Sequence, residues 1–178
     1  MHENSKVLDI SNQIKAIEEK STFYFMIVLG IDPALNKTGY AILKKNHNNT
    51  IQLITSGVIK NNLTQEFPQK LLTLFNAFDQ ICTLYKPNIC GIEETFVNVN
   101  AVSSLKLGAA RGSIITAVAK NDVKILEFLP NKIKKTVTGA GKADKSQVEF
   151  MVQRLIIGVT NQLTPDEYDA IAIAFTAL

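Results

Sequence analysis

Four carboxylates occupy positions from which a fold can bring them together. Asp32 ends the apolar run MIVLGID and Glu93 lies at the end of the run NICGIEE, as acids that terminate two buried strands. Asp166 and Asp169 are three residues apart in a stretch with helical spacing, so they share one helix face. If these groups converge beside a sheet, they can hold hard divalent cations, because Mg²⁺ prefers oxygen ligands. Two such ions can activate a water molecule and stabilise the leaving oxygen in phosphodiester hydrolysis.

Each acid also has a simpler interpretation. Asp32 precedes a proline and can be a turn former, and Glu93 or Glu94 can be a solvated strand end. Asp166 can serve only the helix dipole. Glu167 follows Thr164 by three residues, the spacing of a capping box, and we assign it to that role rather than to a metal site.

Hydrophobic periodicity predicts the elements that must position these acids. Strands are expected at 26–32, 38–45, 51–60, 88–94 and 123–129. Helices are expected at 66–85 and 101–120, with further helices beginning near Pro130, Asp144 and Thr164. Three strands joined by short links and followed by alternating helix and strand predict an α/β fold with a mixed sheet.

The long helix predicted at 101–120 is apolar on two sides. A helix of this kind packs on its own sheet and on a second partner, or lies centrally. We take it as the candidate interface of a homodimer. Its two apolar stripes are Val102, Leu105 and Ala109, and Leu107, Ala110, Ile114 and Val118.

Composition excludes several classes of protein. The chain has 178 residues, of which 46% are hydrophobic and 20% charged, as in one globular domain. No apolar run approaches the length of a membrane span. The two cysteines, Cys82 and Cys90, and the two histidines do not have the spacing of a zinc site. Buried thiols fit a reducing compartment, and we expect a cytoplasmic protein.

Residues 1–25 differ from the remainder. They carry three lysines and four acids, with isoleucines at helical spacing, and the acids argue against a mitochondrial transit peptide. Met26 begins the first predicted strand and can itself be a start codon. We therefore expect residues 1–25 to be an appendage or an over-long start, and the folded domain to span 26–178.

Positive charge is concentrated in residues 131–154. The net charge of the whole chain is only +3, whereas this segment has six basic residues against two acids. A basic segment beside an acidic metal site suits binding to a phosphate backbone and predicts strong salt dependence. A solvated helix face is the alternative interpretation.

Five motifs together resemble one family. They are LGIDPALNKTGYAIL (29–43), GIEETF (91–96), SLKLGAARG (104–112), KKTVTGAGKADKSQV (134–148) and DEYDAIAIA (166–174). Their order and spacing are similar to those of the RuvC family of Holliday junction resolvases, over nearly all of 26–178. The resemblance implies an RNase H-like fold, a mixed five-stranded sheet flanked by helices. It also implies a Mg²⁺-dependent endonuclease that nicks two strands of a four-way DNA junction during recombination and repair.

The resemblance carries roles onto individual positions. It implies that the acidic metal site is formed by Asp32, Glu93, Asp166 and Asp169, which bind two Mg²⁺ ions per subunit, with Mn²⁺ as an alternative. It implies DNA contacts by Lys134 and Lys145 and base stacking by Phe96, for which a core position is the alternative. Lys106 and Arg111 match family positions as secondary candidates for DNA contact. The implied partners are junction DNA, a second copy of the chain and the RuvAB branch-migration complex.

Three other functions remain open at this stage. A different nuclease on the same fold would share the acids but not the KLGAARG and KSQV segments. An actin-like ATPase would explain GIDPALNKTG, a likeness to its phosphate hairpin, but 178 residues leave no room for a second lobe. A catalytically inactive junction-binding protein would gain nothing from clustered acids, since they repel phosphates.

Overall fold

The computed structural model describes residues 25–94 and 100–178. All but the last residue of the expected 1–25 extension lies outside the described residues. So does Phe96, and its predicted stacking role stays a prediction.

The strands form one mixed sheet of five, in the order β3-β2-β1-β4-β5. They are β1 (Met26–Asp32), β2 (Lys37–Lys45), β3 (Ile51–Lys60), β4 (Ile89–Glu93) and β5 (Lys124–Phe128). β2 is antiparallel to both β1 and β3, whereas β4 is parallel to β1 and β5. The predicted α/β fold with a mixed five-stranded sheet is confirmed.

Helices cover both faces of the sheet. Within the described residues they are α1 (Phe67–Tyr85), α2 (Ala101–Lys120), α3 (Pro130–Thr138), α4 (Lys145–Leu155) and α5 (Pro165–Thr176). None of these helices is long and apolar enough to cross a membrane.

Alternation along β1 divides the core in two. Val28 packs in a cluster with α3, α4 and α5, whereas Leu29 and Ile31 pack in a second cluster with α1 and α2. Successive side chains of a strand point to opposite faces, so one strand supports both clusters. Asp32 therefore has the same parity as Val28 and belongs to the α5 side of the sheet.

Local signals set the helix starts as predicted. The Asp144 side chain accepts a hydrogen bond from the Gln147 amide, and the Gln147 side chain accepts one from the Asp144 amide, a complete capping box. Thr164 and Glu167 form the same arrangement at α5. Pro130 is the first residue of α3, where its missing N–H costs no hydrogen bond.

Two strands are shorter than the sequence indicates. β4 begins at Ile89. Asn88 before it still bonds to Ile27: its amide donates to the Ile27 carbonyl at 2.8 Å, and its side-chain oxygen accepts from Ile27 N at 2.8 Å. β5 begins at Lys124, although Val123 before it is buried in the core. Apolar character extends past the strand ends because the core continues there.

The two apolar stripes of α2 have different environments. Ala110, Ile114 and Val118 are buried against the sheet side of the molecule. Val102 and Leu105 of the other stripe are 62% and 75% exposed. One apolar stripe of α2 thus packs on the sheet, and the second partner expected for the other stripe stays a prediction.

The cysteines are both buried and free, as expected. Burial raises the pKa of the Cys82 thiol to about 11, and burial also raises the pKa of Cys90. These thiols therefore stay protonated at neutral pH, in the form that does not bind metal.

Candidate active site

The ends of β1 and β4 bring two of the predicted acids to one edge of the sheet. The parallel pairing of β1 with β4 runs to Ile31 and Ile92, so Asp32 and Glu93 are the next residues on neighbouring strands. Both have the parity of residues that face α5, because Gly30 and Gly91 on the same strands contact that helix. The two carboxyl groups therefore leave the sheet at the same place and on the same side.

The first turn of α5 lies directly on β2, the strand next to β1. A Cβ built on Gly39 would lie 2.1 Å from the carbonyl oxygen of Asp166. Gly39 is also the register partner of Asp32 in the β1–β2 pairing. This close approach places the start of α5 beside the end of β1, and Asp169 follows one turn later on the same helix face.

Electrostatics at Asp32 reflect this convergence. The pKa of its carboxyl is raised from 3.8 to about 7, first by burial and then by the negative charges of Asp169, Glu93 and Asp166. Burial of an ionised carboxylate is unfavourable and nearby like charges add to that cost. All four predicted acids thus belong to one electrostatic cluster.

Glu93 lies on a small cavity that also contains the predicted basic residues. The cavity has a volume of about 210 Å³, and its polar lining consists of Glu93, Lys134, Lys145 and Asp169. Burial and the charge of Asp169 raise the pKa of Glu93, while Lys145 and Lys134 act in the opposite direction. Both lysines that the resemblance singled out therefore lie within electrostatic reach of the acids.

Lys145 is paired with one of the acids. Its Nζ donates to Oδ2 of Asp169 at 2.9 Å, and the Lys145 side chain remains 70% exposed. This hydrogen bond is the main cause of the raised pKa of Lys145. An ammonium that is both exposed and next to the acids is available to a phosphate group that approaches from solvent.

Side-chain hydrogen bonds hold the turn that follows Asp32. The Thr38 hydroxyl bonds to the backbone of Ala34, and Nζ of the buried Lys70 donates to Oδ1 of Asn36 at 3.0 Å. Asn61 donates from Nδ2 to the carbonyl of Leu35 at 2.6 Å. No local pattern predicts the contacts of Asn61 and Lys70, because they join residues 26 and 34 positions apart.

The donor chemistry of the site fits a divalent cation. In the described part of the chain, Lys145 is the one ammonium that pairs directly with these four carboxylates, so excess negative charge remains. Oxygen donors are those that Mg²⁺, Ca²⁺ and Mn²⁺ accept. Among the residues that the structure describes, no three acidic, histidine or cysteine side chains are already grouped to hold a metal ion. The residues that could hold a cation here are Asp32, Glu93, Asp166 and Asp169.

Two other predicted residues have clear environments. Glu167 caps α5 and also accepts a hydrogen bond from the Ser56 hydroxyl at 2.8 Å, in agreement with its assignment to capping. Arg111 points inwards: its Nε donates to the carbonyl of Glu93 at 3.2 Å and its guanidinium pairs with the Glu127 carboxylate. Sequence reasoning considered Arg111 only as a DNA contact and missed this support of Glu93.

The sequence profile described as crossover junction endodeoxyribonuclease RuvC matches residues 28–177. The chain belongs to the RuvC family. The match begins two residues after Met26 and ends one residue before the last residue of the chain.

Curated relatives named crossover junction endodeoxyribonuclease RuvC agree with this assignment. The protein from Rickettsia bellii (strain RML369-C) is 46% identical over 153 residues, which cover 86% of this chain and 97% of the relative. The protein from Rickettsia typhi is 43% identical over the same shares of the two chains. Whole RuvC proteins are thus matched almost end to end.

Solved structures show the same fold. The chain is similar to T. thermophilus RuvC in complex with a Holliday junction substrate, with a TM-score of 0.79 and 23% identity over 85% of this chain and 92% of that one. It is also similar to the yeast mitochondrial Holliday junction resolvase Ydc2, with a TM-score of 0.63 and 16% identity over 88% and 80%. The expected RNase H-like nuclease fold is confirmed.

Membership of the RuvC family makes the chain an endodeoxyribonuclease, a hydrolase that acts on DNA. It also implies dependence on a divalent metal ion, in agreement with the donor set at the sheet edge. The actin-like ATPase and the nuclease of another family are thereby excluded as descriptions of this chain.

Proposed function

We propose that this protein resolves four-way DNA junctions by paired, symmetric nicks that depend on Mg²⁺. In this proposal Asp32, Glu93, Asp166 and Asp169 are the metal ligands, two ions are held per subunit, and Mn²⁺ can replace Mg²⁺. The single observation that carries it is the arrangement of the acids, on the adjacent ends of β1 and β4 and the first turns of α5. Family membership supports the junction as the substrate.

The ions, when bound, supply Lewis-acid activation of water and neutralise charge at the leaving 3′ oxygen. The role of the chain in this proposal is to hold four oxygen donors from three separate elements in a partly buried place. Partial burial strengthens their attraction for cations, because water screens the charges less there. The nick leaves a 5′ phosphate, since the 3′ oxygen is the leaving group.

The exposed ammonium of Lys145 contacts the scissile phosphate in this proposal. If Asp169 held a cation, the Lys145 ammonium would be free to neutralise charge that develops on the phosphate. Lys134 lines the same cavity and serves the adjacent DNA backbone. The family resemblance supports both roles.

The enzyme acts as a homodimer in this proposal. A four-way junction has approximate two-fold symmetry, and an isologous dimer supplies two active sites related in the same way. The exposed stripe of α2 that contains Val102 and Leu105 supports an interface there. Sedimentation equilibrium at micromolar protein should give a dimeric mass. Leu105→Glu should give a monomer, whereas Leu63→Glu, at a leucine 79% exposed outside the helices, should not; a monomeric unmodified chain overturns the dimer.

Two further parts of the proposal rest on the family alone. The RuvAB branch-migration complex is the expected partner, and adding it should stimulate cleavage of a mobile junction. The nuclease domain is expected to span 26–178, so a chain that starts at Met26 should cut junctions at the rate of the full chain. Slower cutting by that chain would assign a role to residues 1–25.

The experiment that tests the function is strand cleavage on a synthetic mobile four-way junction. Linear duplex and an RNA–DNA hybrid serve as competing substrates, each with Mg²⁺ and with EDTA. Paired nicks in the junction alone, abolished by EDTA, are expected. Cleavage of duplex or hybrid in preference to the junction would contradict the proposed substrate, and binding without any cutting would indicate an inactive junction-binding protein.

Asp32→Asn tests the metal site directly. It should retain junction binding and lose Mg²⁺-dependent cleavage, because the amide keeps the shape of the side chain but is a poor cation ligand. Asp79→Asn is the matched control, since Asp79 on α1 pairs with Lys120 and has no place in the acidic cluster. Retained cleavage in Asp32→Asn would remove this residue from the site.

Lys145→Ala tests the phosphate contact. It should slow cleavage at saturating Mg²⁺ and leave the midpoint of thermal unfolding nearly unchanged, because an exposed ion pair contributes little to stability. Lys124→Ala, at an exposed lysine on β5, controls for the loss of one positive charge. Equal cleavage rates for the two variants would show that Lys145 is a solvated surface residue with no role in cleavage.

A further inference from the structure

Arg111 is the residue on α2 that reaches the end of β4. Its side chain is only 16% exposed, although arginine on a helix surface normally keeps its charged end in water. The Nε–H donates to the carbonyl oxygen of Glu93 at 3.2 Å. The other end of the guanidinium pairs with the carboxylate of Glu127 on β5.

The hydrogen bond from Arg111 to Glu93 lies where the pairing of β1 with β4 stops. β1 and β4 pair only as far as Ile31 and Ile92, one residue before Glu93. On the other side, Glu94 N still donates to Phe128 O at 2.9 Å. Arg111 thus fixes the main chain of Glu93 from the side on which no strand partner remains.

The chemistry of the contact requires arginine. A guanidinium is planar and presents donors in fixed directions, so one group can bond to a carbonyl and a carboxylate at once. A lysine ammonium is a point charge on a flexible stem and cannot keep both partners in a defined geometry. Glu127 sets the orientation of the guanidinium plane, and the guanidinium in turn holds the carbonyl of Glu93.

We infer that Arg111, oriented by Glu127, is a positioning residue for Glu93, which it holds where the carboxylate can bind a divalent cation. The inference rests on the proposed role of Glu93 in the metal site. It assigns to Arg111 an effect on cation affinity and none on DNA affinity. Residues that orient a metal ligand typically change metal affinity about 10- to 100-fold when they are removed.

The experiment compares Arg111→Met, Arg111→Lys and Glu127→Gln with the unmodified chain. Lys120→Met is the control, because it removes a positive charge from the same helix. The partner of Lys120 is Asp79 on α1, which is not one of the candidate metal ligands. Calorimetry measures Mn²⁺ binding without DNA, and a gel assay in EDTA measures junction binding. Thermal unfolding in EDTA reports whether each variant is folded at the temperature of the assay.

Arg111→Met is expected to raise the Mn²⁺ dissociation constant about tenfold and to leave junction affinity unchanged. Arg111→Lys should not restore Mn²⁺ affinity, because charge alone is not sufficient. Glu127→Gln should give a smaller change in the same direction, and it still tests the inference if Arg111→Met does not fold. Lys120→Met should bind Mn²⁺ as the unmodified chain does.

Unchanged Mn²⁺ affinity in folded Arg111→Met and Glu127→Gln would overturn the inference. A loss of junction affinity as large as the loss of Mn²⁺ affinity would also overturn it, since Arg111 would then be a DNA contact. The proposed function fails separately, if the unmodified chain binds Mn²⁺ yet cuts no junction. In that case the Mn²⁺ calorimetry, which is done without DNA, still tests the effect of Arg111 on Mn²⁺ affinity.

Discussion

The two faces of the sheet are packed by different means. On the α5 face, glycines let helix and strand backbones meet: a Cβ on Gly30 would lie 2.1 Å from Ala170 O, and one on Gly91 3.0 Å from Ile173 O. On the opposite face, strand side chains such as Ile31 meet large side chains of α1 and α2, including the fully buried Phe78. The α5 face thus adds contact between backbones to its side-chain packing, whereas the opposite face is packed by interlocking side chains.

The difference in packing between the two faces matches the residues that each face positions. Side chains can change rotamer to absorb a shift of a helix, whereas two backbones in contact cannot. The helix on the backbone-packed face carries Asp166 and Asp169, whose positions must match acids on two strands. The helices on the other face carry no candidate metal ligand, and one of them presents the uncovered stripe at Val102 and Leu105.

The largest effect that separates the two faces is expected from Gly30→Ala. The added methyl would meet backbone atoms of Ala170 and Ala174 that have no way to move aside, so we expect at least about 3 kcal/mol of destabilisation or loss of folding. Gly112→Ala on α2 adds the same methyl with nothing within 4 Å and should stabilise by up to about 1 kcal/mol. Urea unfolding measures both. Equal stability of the two variants would refute backbone-to-backbone packing.

A large but different effect is expected from Leu74→Ala on α1. Leu74 is fully buried, and its truncation should cost about 2–5 kcal/mol of unfolding free energy. Mn²⁺ affinity of the folded protein should fall much less than in Arg111→Met, because Leu74 is neither one of the acids nor their positioning residue. Leu84→Ala, at a leucine 72% exposed on the same helix, should change stability by less than about 0.5 kcal/mol. An equal loss of Mn²⁺ affinity in Leu74→Ala and Arg111→Met would contradict this prediction.

A smaller effect, of opposite sign, is expected from Asp32→Asn without metal. Folding raises the Asp32 pKa from 3.8 to about 7, so the folded state holds this proton more tightly and stability falls as pH rises through that range. In EDTA at pH 8, Asp32→Asn should therefore unfold at higher temperature, with a gain on the order of 2 kcal/mol. The gain should vanish below about pH 3, where the carboxyl is mostly protonated in both states.

Millimolar Mg²⁺ supplies the control for this prediction. It should stabilise the unmodified chain more than Asp32→Asn, since cation binding offsets the repulsion that the substitution removes. A thermal midpoint of Asp32→Asn that exceeds the unmodified one equally at about pH 3 and pH 8 would show that folding does not raise the pKa of Asp32.

The smallest effects are expected at two helix caps. The Thr164 side chain caps α5 and the Asn100 side chain caps α2, and alanine at either position should cost about 1 kcal/mol. Only Thr164→Ala should also weaken Mn²⁺ binding, because fraying of α5 disturbs Asp166 in its first turn. Calorimetry on both variants tests this. Equal Mn²⁺ affinities would mean that the glycine contacts alone fix α5.

Much of this architecture could be predicted from local sequence signals. Helix bounds at 101–120 and the capping boxes at Asp144 and Thr164 were predicted correctly, since periodicity and capping depend on residues within one or two turns. The ends of β4 and β5 were predicted less well. Apolar residues such as Val123 remain buried beyond the last ladder hydrogen bond, and composition does not separate the two states.

The candidate site divides in the same way. The sequence singled out the four acids, from strand ends and helical spacing, and the family through five motifs in order. It did not reveal that Lys145 pairs with Asp169, nor that Arg111 turns inwards to Glu93. These contacts join residues 24 and 18 positions apart, so no local pattern encodes them.

Residue types and short spacings are sufficient to predict the helices, most strand bounds, the candidate acids and the family of this protein. The packing of α5 against the sheet at glycines, which brings Asp166 beside the end of β1, depends instead on contacts between distant segments. The same holds for the bond from the buried Lys70 to the turn after Asp32 and for the bond from Arg111 to Glu93. Packing and charge act through space, between segments that the chain keeps far apart, so no local pattern encodes these contacts.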